Sequence, residues 1–286
     1  MSWNADAFFS IGKTHMICED YALGGTSRNG LRYAIVSDGC SSSPQTDIGS
    51  RLLSCAVAHH VDVLSIFDEE RVANKTLRSA AQVALMGLIS AHVSPRALDT
   101  TLIVAYETER EGKMGTVVSM RGDGVVVART REGHFTIESI DQLHNAPRYL
   151  SYDLEPDRLE GYVKKFGDKN AVRTYTSQEG WSPDPHTEFE GHPKDWFYDA
   201  ETYDLVMVLS DGVHTFQELV TGDTSQTLVN VPVERVVEQL LQIKGTKGEF
   251  VKRRCHKFLT RHCVTHNWQH YDDFSAAAIW MENPNE

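Results

Sequence analysis

Long hydrophobic runs are missing from this sequence: none approaches the roughly 20 residues that a bilayer-spanning helix needs, so no membrane association is expected. The opening Met1-Ser2-Trp3-Asn4-Ala5-Asp6 has no basic stretch leading into an apolar core, which argues against a secretory signal and for a cytoplasmic protein. Cysteine is scarce. Five of them (Cys18, Cys40, Cys55, Cys255, Cys263) in 286 residues are an odd number, which suits free thiols in a reducing compartment rather than a disulfide framework. Paired Cys-x-x-Cys ligands are absent too, and a helix would spread Cys255, His256, His262, Cys263 and His266 over different faces, which disfavours zinc. Positive charge is in deficit: 28 Lys and Arg against 40 Asp and Glu leave a formal charge of -12, a poor balance for binding nucleic acid. Apart from one doubled motif there is no internal repeat or low-complexity tract.

That doubled motif is the centre of what is present. Tyr33-Ala34-Ile35-Val36-Ser37 reads as a buried strand that ends abruptly at Asp38-Gly39-Cys40, and Leu205-Val206-Met207-Val208-Leu209 leads in the same way into Ser210-Asp211-Gly212. Two strand ends delivering a carboxylate suggest one shared site. Asp before Gly is also a common turn pair, so each acid taken singly carries little weight.

Taken in order, residues 7–11 read as a first strand and Asn29-Gly30 as a hairpin turn before the strand at 31–37. Closing that hairpin would bring Glu19 and Asp20 towards Asp38. Thr46-Asp47 can cap a helix with Leu52, Leu53, Ala56, Val57 and Val61 on its apolar face, and a second helix is expected at about 75–92. From 99 to 139 the texture is that of antiparallel strands joined by tight turns, the tightest at Gly122-Asp123-Gly124. The stretch 141–203, rich in proline and aromatics, reads as an ordered insertion or flap within a single domain spanning 1–286. Helices are expected at 232–243 and about 247–267, then a last strand at 274–280.

The acids at strand ends or turns are Glu19, Asp20, Asp38, Asp123, Asp211, Asp272 and Asp273. Several carboxylates at the mouth of one sheet would repel strongly unless a cation neutralised them. An all-oxygen set favours Mg²⁺ or Mn²⁺ over Zn²⁺.

The ordered series Cys-Glu-Asp-Tyr (18–21), Val-Ser-Asp-Gly (36–39), Asp-Thr-Thr-Leu (99–102), Arg-Gly-Asp-Gly (121–124), Leu-Ser-Asp-Gly-Val (209–213) and Tyr-Asp-Asp-Phe-Ser (271–275) resembles the metal-dependent type 2C serine/threonine protein phosphatases, in a divergent, bacterial-type form. The resemblance implies an α+β fold, a four-layer αββα sandwich of two antiparallel β-sheets flanked by helices. It implies hydrolysis of phosphoserine and phosphothreonine in proteins by a metal-activated water at a two-metal centre, with no protein nucleophile. Carried over motif by motif, Asp38 would bridge the two ions and the Gly39 carbonyl would complete the second. Asp211 and Asp272 would hold the first ion, Glu19 or Asp20 would serve the second, and Asp123 would belong to a third, weaker position. The partners implied are a phosphorylated protein substrate and an opposing Ser/Thr kinase, with the chain a monomer that binds neither nucleic acid nor membrane.

Two positions depart from the family pattern. His15 stands where many members have a phosphate-gripping arginine, and Cys40 stands where animal members have a histidine, with Ser41 and Ser42 in place of glycines. Leaving-group protonation would then fall to water or to His15. The alternatives are hydrolysis of a small phosphate ester, or a non-catalytic phosphoprotein-binding module on the same scaffold. One basic cluster remains, Lys252-Arg253-Arg254 with Lys244, Lys247 and Lys257; it reads as a solvated helix face, with a docking patch as the alternative. Cys18 and Cys40 flank the expected site, as oxidation-sensitive thiols or, more simply, as buried inert ones.

Overall fold

The structure, a computed structural model, describes residues 3–66, 70–141, 146–167, 169–182, 187–190, 194–221, 226–243 and 245–282. Lys244 of the basic cluster and prolines 183, 185 and 193 lie outside these residues.

The hydrophobic strands form two sheets stacked face to face. One is built from β1 (Trp3–Ser10), and the other begins with the hairpin of β2 (Tyr21–Thr26) and β3 (Arg32–Ser37). Helices α1 (Thr46–Ile66) and α2 (Glu70–Ser90) follow, then β4 (Leu102–Arg110), β5 (Lys113–Arg121), β6 (Gly124–Thr130) and β7 (Phe135–Asp141). Next come α3 (Pro156–Phe166), β8 (Lys169–Thr176), β9 (Gly180–Trp181), β10 (Thr187–Glu190), β11 (Lys194–Asp199) and β12 (Tyr203–Leu209). The remainder is β13 (Phe216–Thr221), β14 (Gln226–Asn230), α4 (Val233–Leu240), α5 (Phe250–Lys257), β15 (Trp268–His270) and β16 (Phe274–Met281).

One sheet runs β1-β16-β12-β6-β7-β8-β10, with β9 paired to β8; the second runs β11-β5-β4-β3-β2; β14-β13-β15 form a small third. Side-chain alternation explains why the central strands read as continuous apolar runs, since both of their faces are covered. On β12, Val206 and Val208 point between the sheets with Ala34, Val36, Ile103, Ala277 and Ile279. Leu205, Met207 and Leu209 point the other way, into a cluster with Val236, Val237 and Leu240 of α4 and Phe250 and Val251 of α5. Across the molecule, Ile35, Leu102 and Val104 pack under Leu53 and Val57 of α1 and Leu77, Ala81 and Leu88 of α2. The order is therefore helices, sheet, sheet, helices: the αββα sandwich expected from the sequence.

Two expectations need revision. The turn at Gly122-Asp123 does not close a hairpin: β5 lies in one sheet and β6 in the other, so this turn carries the chain across the sandwich. The tight antiparallel pairs in that region are β4 with β5 and β6 with β7. The long helix expected at 247–267 is α5 followed by a π-helical stretch, Phe258–Cys263. The stretch 141–203 contributes β8, β9 and β10 to the larger sheet and β11 to the edge of the smaller, while its 146–166 portion lies beside the acidic site described below. Among the described residues, no helix is long and apolar enough to cross a membrane.

Candidate active site

Strand register brings the acids together. Tyr21 pairs with Ser37, so Asp20 and Asp38, the next residues outward on each strand, emerge side by side. Leu209 pairs with Ala276 on one side and Val125 on the other, which sets Asp211 and the turn at Asp123 at the same end of the sandwich as Asp272. A pocket of about 210 Å³ opens there, lined by His15, Asp38, Gly39, Cys40, Ser41, Thr101, Asp123, Pro147, Tyr149, Asp211 and Asp272.

The backbone at these points is held tightly. Asp38 N–H donates to Thr101 Oγ1 (3.1 Å), Thr101 N–H donates back to Asp38 O (2.8 Å), and Cys40 N–H donates to Asp99 O (2.9 Å). The Asp-Thr-Thr motif thus braces the loop that carries Asp38. Glycine is required at two of the motif positions by close approach. A Cβ on Gly39 would lie 2.7 Å from Thr46 Cβ, and one on Gly212 would lie 1.7 Å from the Asp273 carbonyl oxygen.

Charge is concentrated beyond what the pocket neutralises by itself. Asp20 is buried (1% exposed), and neither carboxylate oxygen has a hydrogen-bond partner of sound geometry. Burial, with the Asp211 charge added, pushes its carboxyl up to about 7, moderated by the nearby Ser210 and Ser275 hydroxyls. Burial pushes Asp38 well above the carboxylate range, reinforced by Asp20, Asp211 and Asp123, and its side chain lies within hydrogen-bonding reach of Asp211. Asp272 is raised in the same direction by burial and Asp211. Orphaned buried oxygens and mutual repulsion are what a set of cation ligands shows when considered by itself, and the all-oxygen donors fit a hard divalent ion. Among the described residues, no three Asp, Glu, His or Cys side chains are gathered closely enough to enclose an ion.

The neighbouring acids separate by partner. Asp273, adjacent to Asp272, turns away from the pocket: Gly12 N–H donates to its Oδ1 (2.7 Å) and Glu19 N–H to its Oδ2 (2.6 Å). His15 bridges the pair, with Nε2 3.2 Å from Asp272 Oδ1 and Nδ1 3.1 Å from Asp273 Oδ2. Burial opposes its protonation, but Asp273, Asp272 and Glu19 outweigh that and raise its pKa. Glu19 accepts a hydrogen bond from Thr46 Oγ1 (2.7 Å) at the start of α1. Of the first acidic pair, Asp20 is the one among the buried carboxylates.

Several residues at the site were invisible in the sequence. Tyr149 walls the pocket and hydrogen-bonds towards Cys40, whose thiol also meets Ser42 Oγ at 3.1 Å. Burial opposes ionisation of Cys40, but the Ser42 and Tyr149 hydroxyls more than offset it and lower its pKa. Cys18 is half-buried and its thiol is pushed up to about 12 by burial and by Asp273. Behind the Cys40 loop, buried Asp99 accepts hydrogen bonds from Ser43 Oγ and Ser151 Oγ (2.8 Å each) and from Arg158 Nη2 (2.9 and 3.0 Å). Asp99 thereby ties the Asp38 loop to α3 and to the turn at Leu150–Leu154. Only the Asp-Thr-Thr-Leu spelling hinted at it.

The protein phosphatase 2C family model matches residues 11–260. Stp1, a serine/threonine phosphatase from Staphylococcus aureus, superposes with a TM-score of 0.54 at 15% identity, over 99% of this chain and 96% of that one. The Mycobacterium tuberculosis serine/threonine phosphatase PstP/Ppp gives 0.51 at 14% identity, over 98% and 99%. PppA of Pseudomonas aeruginosa gives 0.50 at 14%, over 98% of each chain. Among curated proteins, no sequence matches significantly.

Proposed function

The chain belongs to the protein phosphatase 2C family, and from that footing we propose that it is a metal-dependent serine/threonine protein phosphatase. Its substrate class is phosphoserine and phosphothreonine in proteins, supplied by an opposing kinase, and it works as a cytoplasmic monomer with Mg²⁺ or Mn²⁺. The observation that carries this reading is Asp20, a buried carboxylate with two unpartnered oxygens beside Asp38 and Asp211. Such a cluster is costly unless divalent charge compensates it.

In this reading Asp38, the Gly39 carbonyl, Asp211 and Asp272 would hold two ions, Asp20 would serve the second with Glu19 behind it, and Asp123 would attend a third, weaker position. Bound there, the ions would neutralise phosphoryl oxygens and activate the attacking water. His15 presents a proton at Nε2 beside Asp272, positioned to meet a phosphoryl oxygen or the departing hydroxyl. Its weaker, titratable grip replaces the fork of an arginine. Tyr149 and Cys40 close the wall next to Asp38 and limit water there.

The test is hydrolysis of p-nitrophenyl phosphate by the purified chain with Mn²⁺ or Mg²⁺. Asp38→Ala and Asp211→Ala are expected to lose at least about a hundredfold in turnover, about 2.7 kcal/mol of transition-state stabilisation. No turnover with either metal ends the proposal. Faster release of phosphate from phosphothreonine peptides than from small esters supports the protein substrate, and the reverse order replaces it with a small ester.

A further inference from the structure

The described residues of the basic cluster are exposed, as expected of a solvated face, with Arg254 alone half-buried, and their geometry bears on the alternative of a docking patch. Arg254, Lys257 and Arg261 follow one another at three- and four-residue spacing along α5 and the π-helix, so they share one side. Gln239 and Gln242 at the end of α4 face them. Between the two elements lie adjoining hollows of about 300 and 270 Å³ that share Gln242, Arg254 and Lys257, and among the described residues no acidic side chain lines either.

Lys252 of the cluster is paired to Glu249 at 3.2 Å, but the cations that line the hollows are not paired in this way. Arg129 is paired to Asp204 and Arg158 to Asp99, whereas Arg253, Lys257 and Arg261 have no carboxylate partner among the described residues. Arg254 is half-buried, its Nε fixed by the Leu240 carbonyl at 3.1 Å. At the far end, His262 and His266 lie against each other, tilted by 34° with ring centroids 4.2 Å apart, and His262 Nε2 is buried with no hydrogen-bond partner among the described residues. Burial, His266, Arg254 and Arg235 together disfavour a proton on His262. In a chain of net charge -12, a groove that gathers unpaired cations beside a buried, unsatisfied nitrogen is suited to receive negative charge. The π-helix at Phe258–Cys263 is a second local departure of the kind concentrated at functional sites.

We propose that this groove binds a soluble, multiply charged phosphate compound of the size of pyrophosphate or a nucleoside diphosphate. Guanidinium and ammonium groups lining the same hollows can together meet the several oxygens of such an anion. The hollows suit a small molecule rather than an extended chain. None of these residues lines the carboxylate pocket, so the proposal stands apart from the phosphatase reading.

The test follows the imidazole C–H resonances of His262 and His266 in the full chain, with EDTA present and ionic strength held constant with KCl. His262→Gln and His266→Gln each identify one resonance. Inorganic pyrophosphate is expected to shift both in a saturable way, with half-saturation below about 1 mM. The double variant Lys257→Glu/Arg261→Glu changes two exposed side chains and should weaken binding at least about tenfold with an unchanged circular dichroism spectrum. If that variant misfolds, Arg261→Gln alone should weaken binding about threefold or more. No saturable shift, equal shifts with added chloride, or variants that bind as the parent does would each overturn the proposal. Saturation by a phosphopeptide or a single-stranded oligonucleotide, where pyrophosphate fails, would overturn it in favour of a macromolecular partner.

Discussion

Asp272 and Asp273 are adjacent and chemically identical, yet replacing each with alanine should have opposite consequences. Asp273 is 2% exposed and accepts from the Gly12 and Glu19 amides, with His15 as a further partner. A hydrogen bond to a charged acceptor contributes about 1.5–3 kcal/mol, and removing the acceptor leaves two amides unsatisfied. Water can reach part of the 12–19 loop, so Asp273→Ala should cost about 3 kcal/mol, near the lower end of that sum. Spread over 286 residues at about 2.1 cal/mol/K each, this lowers the unfolding temperature by about 5 °C. Asn offers only one accepting oxygen and should be little better. Asp272 is 43% exposed and repelled by Asp211, so Asp272→Ala should leave stability in EDTA within about 0.5 kcal/mol of the parent, or raise it, while losing Mn²⁺ affinity. Urea unfolding in EDTA reads both variants, and hydrogen exchange at the Gly12 and Glu19 amides reads the cause. An Asp273→Ala protein as stable as the parent, or one in which those amides exchange no faster, would refute the assignment of Asp273 as a brace.

Asp20 predicts a pH dependence. Its folded pKa lies at about 7, above the ordinary 3.8, so its unfavourable effect is absent below about pH 4, grows as pH rises to about 7, and is constant beyond. In EDTA, the stability gained by Asp20→Asn should therefore increase between pH 5 and pH 7.5, reaching at most on the order of 4 kcal/mol; a gain independent of pH contradicts the shift. Gly212→Ala must displace the Asp273 backbone and should cost at least about 2 kcal/mol in urea unfolding, with weaker Mn²⁺ binding by calorimetry. Arg158→Ala leaves buried Asp99 with only the exposed Arg96, 3.4 Å away, as its cation and should destabilise by about 2 kcal/mol, with faster proteolysis within 146–166; unchanged cleavage there would count against the tie.

Asp38 and Asp211 were legible because each follows a strand that is written as an unbroken apolar run and is buried, while Asp20 and Asp272 stand just before the strands that pair beside them. Asn29-Gly30 even set the register that places Asp20 beside Asp38. Nothing in Tyr-Asp-Asp-Phe says which aspartate enters the pocket, since that depends on a loop some 255 residues earlier in the chain. Strands β8 to β11 escaped notice because they are short or mix charge with aromatics, and β14 because it is exposed along its whole length. Gly122-Asp123 looked like a hairpin because turn chemistry is local, whereas the choice of sheet is made by packing. Tyr149 and Asp99 gained their places only through the folding of 146–166 over the Asp38 loop.

The pairing of β16 between β1 and β12 has a consequence for how the molecule is made. Trp3 meets Met281, so the slot in the larger sheet stays open until β16, some 270 residues after β1, has left the ribosome. Until then β1 and β12 present unsatisfied edges, and the 12–19 loop waits for Asp273. Nascent chains cut short before β16 should be prone to aggregate and should bind Mn²⁺ poorly, because the site cannot form without that strand.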